Sequence, residues 1–249
     1  MFISDKFIFD NVSCEEYNVR LVYFENNIVN DMKIPFSLSL NSETINKTNP
    51  FYKEEYNIPS EITLNMAYVD KNGNLSVFTD EAFKRIKSWL ITDYFAPFIT
   101  EDYEDYVLYL KCTKIQDKLT FDNKGFLEVT FQPYTHYFYK KFNTTVLLSN
   151  EYSFDINNES DEICYPIITF ENTGDLNNIV TINDLEISDV QNGEIITIDN
   201  QMLTVLNENK ENKLHCCNRQ WIKLLPGNNK INLTGNGKIT FSIEFPIVL

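Results

Sequence analysis

Apolar and polar residues alternate through most of this chain. In the closing segment Ile239, Phe241, Ile243 and Phe245 take one parity while Thr240, Ser242 and Glu244 take the other, the period of a strand with one buried face. Leu127, Val129 and Phe131 alternate in the same way with Glu128 and Thr130, after the turn Asp122-Asn123-Lys124-Gly125. Ile62, Leu64, Met66 and Tyr68 share a face until Asp70-Lys71-Asn72-Gly73-Asn74 turns the chain into Leu75, Val77 and Phe78, which predicts a hairpin. Residues 6–9, 17–24, 36–40, 103–114 and 118–132 read as further strands.

A helical period occurs once. Phe83, Ile86, Trp89 and Leu90 recur at helical spacing behind Thr79 or Asp80 as N-cap, with Asp80 and Glu81 in the first turn, and Pro97 is expected to stop the helix. Residues 41–58, NSETINKTNPFYKEEYNI, break the alternation and are expected to form a long loop or extended arm. Phe51, Tyr52 and Tyr56 lie inside this polar stretch, and aromatic anchors in polar surroundings are the composition of an assembly interface. They are the candidate interface residues.

Beyond a connector at 133–142, turn signals at 172–175, 192–193, 226–229 and 235–237 separate a second series of strands. In the third of these, Pro226 presets φ, Gly227 supplies a left-handed position and Asn228 is expected to close the turn by bonding backbone. The expected fold is mostly β in two domains, residues 1–138 and 139–249. The first carries strands, the one α-helix and the extended arm, and the strand and turn spacing of the second describes a β-sandwich.

Composition supports strands and narrows the chemistry. Nineteen Phe and fourteen Tyr stand beside only seven Gly in 249 residues, and aromatic side chains suit a pleated surface. The formal charge of −15 repels phosphate, so specific nucleic-acid binding is not expected. Asp5, Lys6 and Asp10 interrupt the opening segment where a signal peptide needs an apolar run, and no stretch is long enough to span a bilayer. The five cysteines are odd in number and scattered apart from Cys216-Cys217, the pattern of reduced thiols in a cytosol.

No catalytic, metal or cofactor site is expected. His136 and His215, the only two histidines, fall in different predicted domains, so no triad assembles within one of them. His215-Cys216-Cys217 lacks the second ligand pair of a zinc site. Asp70, Asn72, Asn74 and Glu81 sit at calcium-loop spacing, but Leu75 occupies the position that needs glycine. Glu101-Asp102 and Glu104-Asp105 read as a solvated acidic loop rather than a catalytic pair.

Several segments carry a family resemblance. They are Phe7-Ile8-Phe9-Asp10-Asn11 with Ser13, Glu15, Glu16 and Tyr17, the run from Arg85 to Leu90, and Gly125-Phe126-Leu127-Glu128-Val129-Thr130-Phe131. In the second half they are Pro166-Ile167-Ile168-Thr169-Phe170-Glu171-Asn172-Thr173-Gly174-Asp175, Gln191-Asn192-Gly193 with Ile198-Asp199, and Leu225-Pro226-Gly227-Asn228-Asn229-Lys230-Ile231. In this order the chain resembles the distal tail protein family of long-tailed, siphovirus-type phages nearly end to end, in the short form without an inserted carbohydrate-binding module. Asn11, Asn172 and Gln191-Asn192 depart from the family's usual residues.

The resemblance implies that the first domain is a ring-forming N-terminal β-sandwich with one α-helix and an extended arm, and that the second is a galectin-like β-sandwich. It implies a structural hub in the virion tail, made in the host cytoplasm: a hexameric ring that joins the tail tube to the tip or baseplate and docks receptor-binding proteins. The implied partners are other copies of the chain, the tail-tube protein, the tail-tip or tail-associated protein and receptor-binding or baseplate proteins, with no membrane and no cofactor. It transfers no catalytic residues, so the chain is not read as an enzyme. The alternative is a carbohydrate-binding module for host-surface recognition with Trp221 as stacking platform, although Ile222, Leu224 and Leu225 beside it favour a core position.

Overall fold

The computed structural model describes residues 4–22, 38–44, 50–56, 61–119, 124–175 and 177–248. They belong to two compact units, Met1–Phe138 and Tyr139–Val248.

The first unit is an antiparallel sheet with one helix. Its strands are β1 Phe7–Phe9, β2 Val12–Ser13, β3 Val19–Leu21, β4 Leu38–Thr44, β5 Pro50–Tyr56, β6 Ile62–Tyr68, β7 Ala96–Thr100, β8 Tyr106–Leu119 and β9 Gly125–Pro133, with α1 Asp80–Leu90 between β6 and β7. The main sheet runs β2-β1-β7-β8-β9-β6-β3. It folds back on itself: Leu21 N donates to Asp5 O at 2.8 Å, and Phe9 of β1 meets Phe131 of β9 at a centroid distance of 5.7 Å, although those strands are not neighbours. Asp10 (φ 52) and Asn11 (φ 62) are both left-handed in the two-residue turn between the paired Phe9 and Val12. That is the turn which matches strand twist, and Asn and Asp tolerate it without glycine.

Helix α1 begins where the sequence places it. The Thr79 hydroxyl accepts from Ala82 N at 3.2 Å, and Asp80 and Glu81 occupy the positive end of the helix dipole. Ile86, Trp89 and Leu90 are buried against Phe7, Phe9, Phe98 and Phe131. Trp89 Nε1 donates to Phe9 O at 3.1 Å, and its ring stacks on Tyr17 at 4.4 Å, with Arg85 Cζ over the Tyr17 ring at 5.7 Å from its centroid.

The second unit is a sandwich. It contains β10 Phe138–Asn158, β11 Ile167–Glu171, β12 Val180–Ile182, β13 Leu185–Ile187, β14 Ile195–Asp199, β15 Thr204–Asn207 and β16 Gly227–Ile247. One sheet runs β10-β16-β11-β14-β15, and β12 and β13 add to the other part of β16. Leu233 and Thr234 of β16 pair with β12, while residues from Lys238 to Ser242 pair with β11. The transfer between sheets happens at Gly235 (φ +107), where a Cβ would lie 2.5 Å from Ile179 O. Ile168, Phe170, Ile196, Ile198, Ile239 and Phe241 face inward at buried positions.

Several sequence expectations change, among them the strand expected over 103–114, which begins at Tyr106 after the 3-10 helix Glu101–Tyr103 and runs on to Leu119. The described residues of the 41–58 stretch, 41–44 and 50–56, are not loop: β4 and β5 make a seven-pair antiparallel ribbon, from Leu38 opposite Tyr56 to Thr44 opposite Pro50. Alternation shows in a sequence only when one face is apolar, and LSLNSET and PFYKEEY carry polar residues at both parities. The helix ends at Leu90, with Ile91 extended and its N–H on Lys87 O; Pro97 stops nothing and lies in β7. The glycines at 235 and 237 bend a continuous strand instead of turning the chain. Tyr17 ends a short 3-10 helix, Cys14–Tyr17, so the strand expected from it starts at Val19. Phe24, Phe36, Asp122 and Asn123 lie outside the described residues.

Candidate assembly surfaces

The ribbon is the first candidate. Among the described residues β4 and β5 pair with each other and with no other strand. Phe51, Tyr52 and Tyr56 all fall on β5, opposite Glu43, Ser42 and Leu38. A two-stranded hairpin is marginal in water by itself, and its outer edges offer a row of backbone donors and acceptors for pairing.

A second surface was not anticipated from the sequence. After α1 the chain presents Ile91, Tyr94 and, from the end of β9, Tyr134, which are 50%, 54% and 60% exposed. Phe95 packs on Tyr134 at 5.2 Å, and Thr92 Oγ1 donates to Tyr94 O at 2.6 Å. The Tyr94 hydroxyl lies 2.9 and 2.8 Å from the two Asp10 oxygens, which raises its pKa. Lys111 Nζ caps the same loop through Asp93 O at 3.1 Å. Fixed, exposed aromatics next to hydrogen-bonded charged groups are the composition of an interface centre with a polar rim. In the sequence these residues straddle a helix end and a strand end some forty positions apart, and no local period links them.

The positions weighed for chemistry are occupied by structure. Both Asn72 N and Asn74 N donate to Asp70 Oδ1, at 2.8 and 2.9 Å, so the carboxylate serves its own turn and its pKa is lowered by those amides, Asn74's first. His215 Nε2 lies 3.4 Å from Cys216 Sγ, and the described residues hold no group of three or more His, Cys, Asp or Glu placed for a metal ion. All five cysteines are free thiols. Burial raises the pKa of Cys14, Cys164 and Cys216 and takes Cys112 to about 11, away from thiolate reactivity. His136 packs against Tyr137 with the rings tilted by 40° at a centroid distance of 3.9 Å. Glu101 pairs with Lys6 at 3.5 Å, and Lys6 with Glu15 at 3.2 Å. Trp221 is half-buried against the second core. No described helix is long and apolar enough to cross a membrane.

The turn after Pro226 has one reassigned role. Gly227 takes φ +88, but the residue that bonds the backbone is Asn229, not Asn228. Asn229 Oδ1 accepts from Leu225 N at 2.8 Å, and Nδ2 donates to Leu225 O at 2.7 Å and Gly227 O at 2.8 Å. Three buried asparagines act likewise elsewhere in this unit. Asn172, 1% exposed, donates to Val190 O and Asp175 O and accepts from Gly174 N and Asn178 Nδ2. Asn200 joins Pro166 O to Ile222 N, and Asn158 joins Glu162 O and Leu224 O to Ser160.

The sequence matches the family model described as phage tail protein N-terminal domain over residues 2–132 and the one described as phage tail C-terminal domain over residues 136–243. Comparison with curated proteins finds no match. Among solved structures the chain is similar to the crystal structure of the SPP1 Dit protein, described as a paradigm of the hub adsorption apparatus in phages that infect Gram-positive bacteria. Identity is 14% over 96% of this chain and 98% of that one, with a TM-score of 0.61. It is also similar to a chain of the phage p2 baseplate in its activated conformation. The calcium form gives 10% identity and a TM-score of 0.55, over 96% of this chain and 97% of that one. The strontium form gives 11% and 0.56 over the same shares. At these identities the likeness is one of fold, and it extends over nearly the full length of each chain.

Proposed function

The chain belongs to the phage tail protein family whose N- and C-terminal domains it matches in order, and from that premise we propose that it is the distal tail hub of its particle. In this reading six copies close a ring that joins the tail tube to the tip or baseplate, and the second units dock receptor-binding or baseplate proteins. The protein is a structural component of the virion tail, synthesised in the host cytoplasm, and has no catalytic role. The second sandwich is galectin-like, and the division of labour follows a boundary at 138/139.

The observation that supports this best is the full-length likeness in fold to a protein described as a hub. The ribbon supports it too. A pair of strands that, among the described residues, completes no larger sheet of its own unit gains stability by lying against a neighbouring copy. Closed rings are the ordinary outcome when one surface of a subunit meets a different surface of the next. Replacing Phe51, Tyr52 and Tyr56 together by Ser is expected to leave a folded monomer that no longer assembles. Unchanged ring formation by that variant would remove the ribbon from the account.

The charge of −15 per chain adds up to about −90 over six copies, enough to hold a passing duplex off the wall at short range, since salt screens only beyond roughly 8–10 Å. Acidic side chains are therefore expected to outnumber basic ones along the channel. A structure of the assembled particle with a lumen lined mainly by Lys and Arg would reject that.

A further inference from the structure

Three of the seven glycines follow asparagine: Asn72-Gly73, Asn192-Gly193 and Asn236-Gly237. Glycine leaves the peptide nitrogen after asparagine unshielded by a side chain, so that nitrogen can reach the carboxamide carbon one residue back. The fold treats the three sites differently. We propose that Asn72 is a site of spontaneous deamidation and that the second unit's asparagine clamps protect Asn192 and Asn236 from the same reaction.

Asn192 is held at both reacting ends. Its Nδ2 donates to Gly174 O at 2.6 Å, and the attacking Gly193 nitrogen is committed to Asn172 O at 2.7 Å. Asn236 is pinned through its backbone: its N–H donates to Asn178 Oδ1 at 3.2 Å and its carbonyl accepts from Asn178 Nδ2 at 2.6 Å. Gly237 is buried in β16 so close to Phe170 that a Cβ would lie 2.4 Å from Cε2. Neither backbone can rotate into the attack geometry without breaking these bonds, each of which slows the reaction by about tenfold.

Among the described residues nothing restrains the Asn72 carboxamide in this way. It sits at the exposed tip of the turn that the Asp70 carboxylate organises, with Gly73 at φ +81 and open space around it. The site's backbone bonds run from Asn72 N–H to Asp70 Oδ1 at 2.8 Å and from Gly73 N–H to Asp70 O at 3.0 Å. Both lie within one exposed turn, where water can replace either partner, and neither ties the site to another element of the fold. The step balances with water alone. A base in solution removes the Gly73 amide proton, the nitrogen bonds to Asn72 Cγ, and the side-chain nitrogen leaves as ammonia to give a cyclic imide. Water then opens either imide carbonyl, yielding aspartate or isoaspartate. Isoaspartate adds a methylene to the backbone inside the turn and displaces the Asn74 N–H from Asp70 Oδ1, so the product loosens the bridge between Val69 and Leu75.

The test is peptide mass spectrometry on the intact folded chain after incubation in warm, mildly alkaline buffer, with a parallel sample in urea. In the folded sample the peptide containing Asn72 is expected to convert at least about tenfold faster than those containing Asn192 and Asn236. In urea the three should converge. Asn178→Ala should accelerate conversion at Asn236 and leave Asn72 unchanged. Equal rates at the three sites in the folded chain, or an intact Asn72 beside a converted Asn192 or Asn236, would overturn the proposal.

Discussion

In the first unit Phe7, Phe9, Phe98 and Phe131 fill the space beneath α1 and close on Trp89, and its buried polar oxygen at Thr100 has no hydrogen-bond partner among the described residues. In the second unit the core is chiefly Ile, Val and Leu, and Asn158, Asn172 and Asn200 are buried with their amides spent on backbone atoms of separate loops. The contrast is between two ways of fixing a β-fold. Ring packing scales with area and tolerates small adjustments of the chain. An amide clamp specifies individual backbone atoms, and removing it leaves several buried groups unpaired at once.

The protein has two tryptophans, one in each unit, so the comparison can be tested one unit at a time. Phe131→Ala is expected to have the largest effect, a loss of about 3–5 kcal/mol for a large aromatic truncated in a full core. Urea unfolding followed by Trp89 fluorescence in a Trp221→Phe background measures it. Asn172→Ala should cost roughly 2–3 kcal/mol, because Val190 O, Asp175 O and Gly174 N lose their partner together. Trp221 reports that loss in a Trp89→Phe background. Asn172→Asp keeps the shape but removes both donated bonds and should be no better than alanine. If either Asn172 variant unfolds like the parent, the amide half of the contrast fails.

Thr79→Ala should cost about 1 kcal/mol by exposing Ala82 N at the start of α1, with serine restoring most of it. The smallest effect concerns pH. Lys213 Nζ, 2.7 Å from Glu194 Oε1, and then Gln191 N–H hold the Glu194 carboxyl below its ordinary 4.5. The folded state therefore binds this proton more weakly than the unfolded chain. The contribution is complete above about pH 4.5 and disappears as pH falls through the lowered folded value. Unfolding midpoints of Glu194→Gln and the parent should converge on acidification. Parallel pH curves would show that the pair adds nothing.

The elements that one apolar face imposes were legible in the sequence. The alternation at 127–131 and 239–245 becomes β9 and β16, and Thr79 with Ile86, Trp89 and Leu90 becomes a capped helix. The ribbon was not legible as strands, because its two segments carry polar residues at both parities. The asparagine clamps were hidden for another reason. Asn172 and Val190, or Asn200 and Pro166, meet only after folding, and in an asparagine-rich chain a buried clamp has the same letter as a solvated turn residue. The aromatic surface at Tyr94 and Tyr134 shares that cause, since it is assembled from two ends of a folded unit.

Native mass spectrometry of the purified chain with its tail partners tests the hub reading most directly. A closed ring of six predicts a species of about 175 kDa, six times 29.2 kDa, and the Phe51, Tyr52 and Tyr56 triple serine variant should remain at the mass of one chain. A parent protein that stays a stable monomer when tail-tube and tip proteins are present would contradict the account.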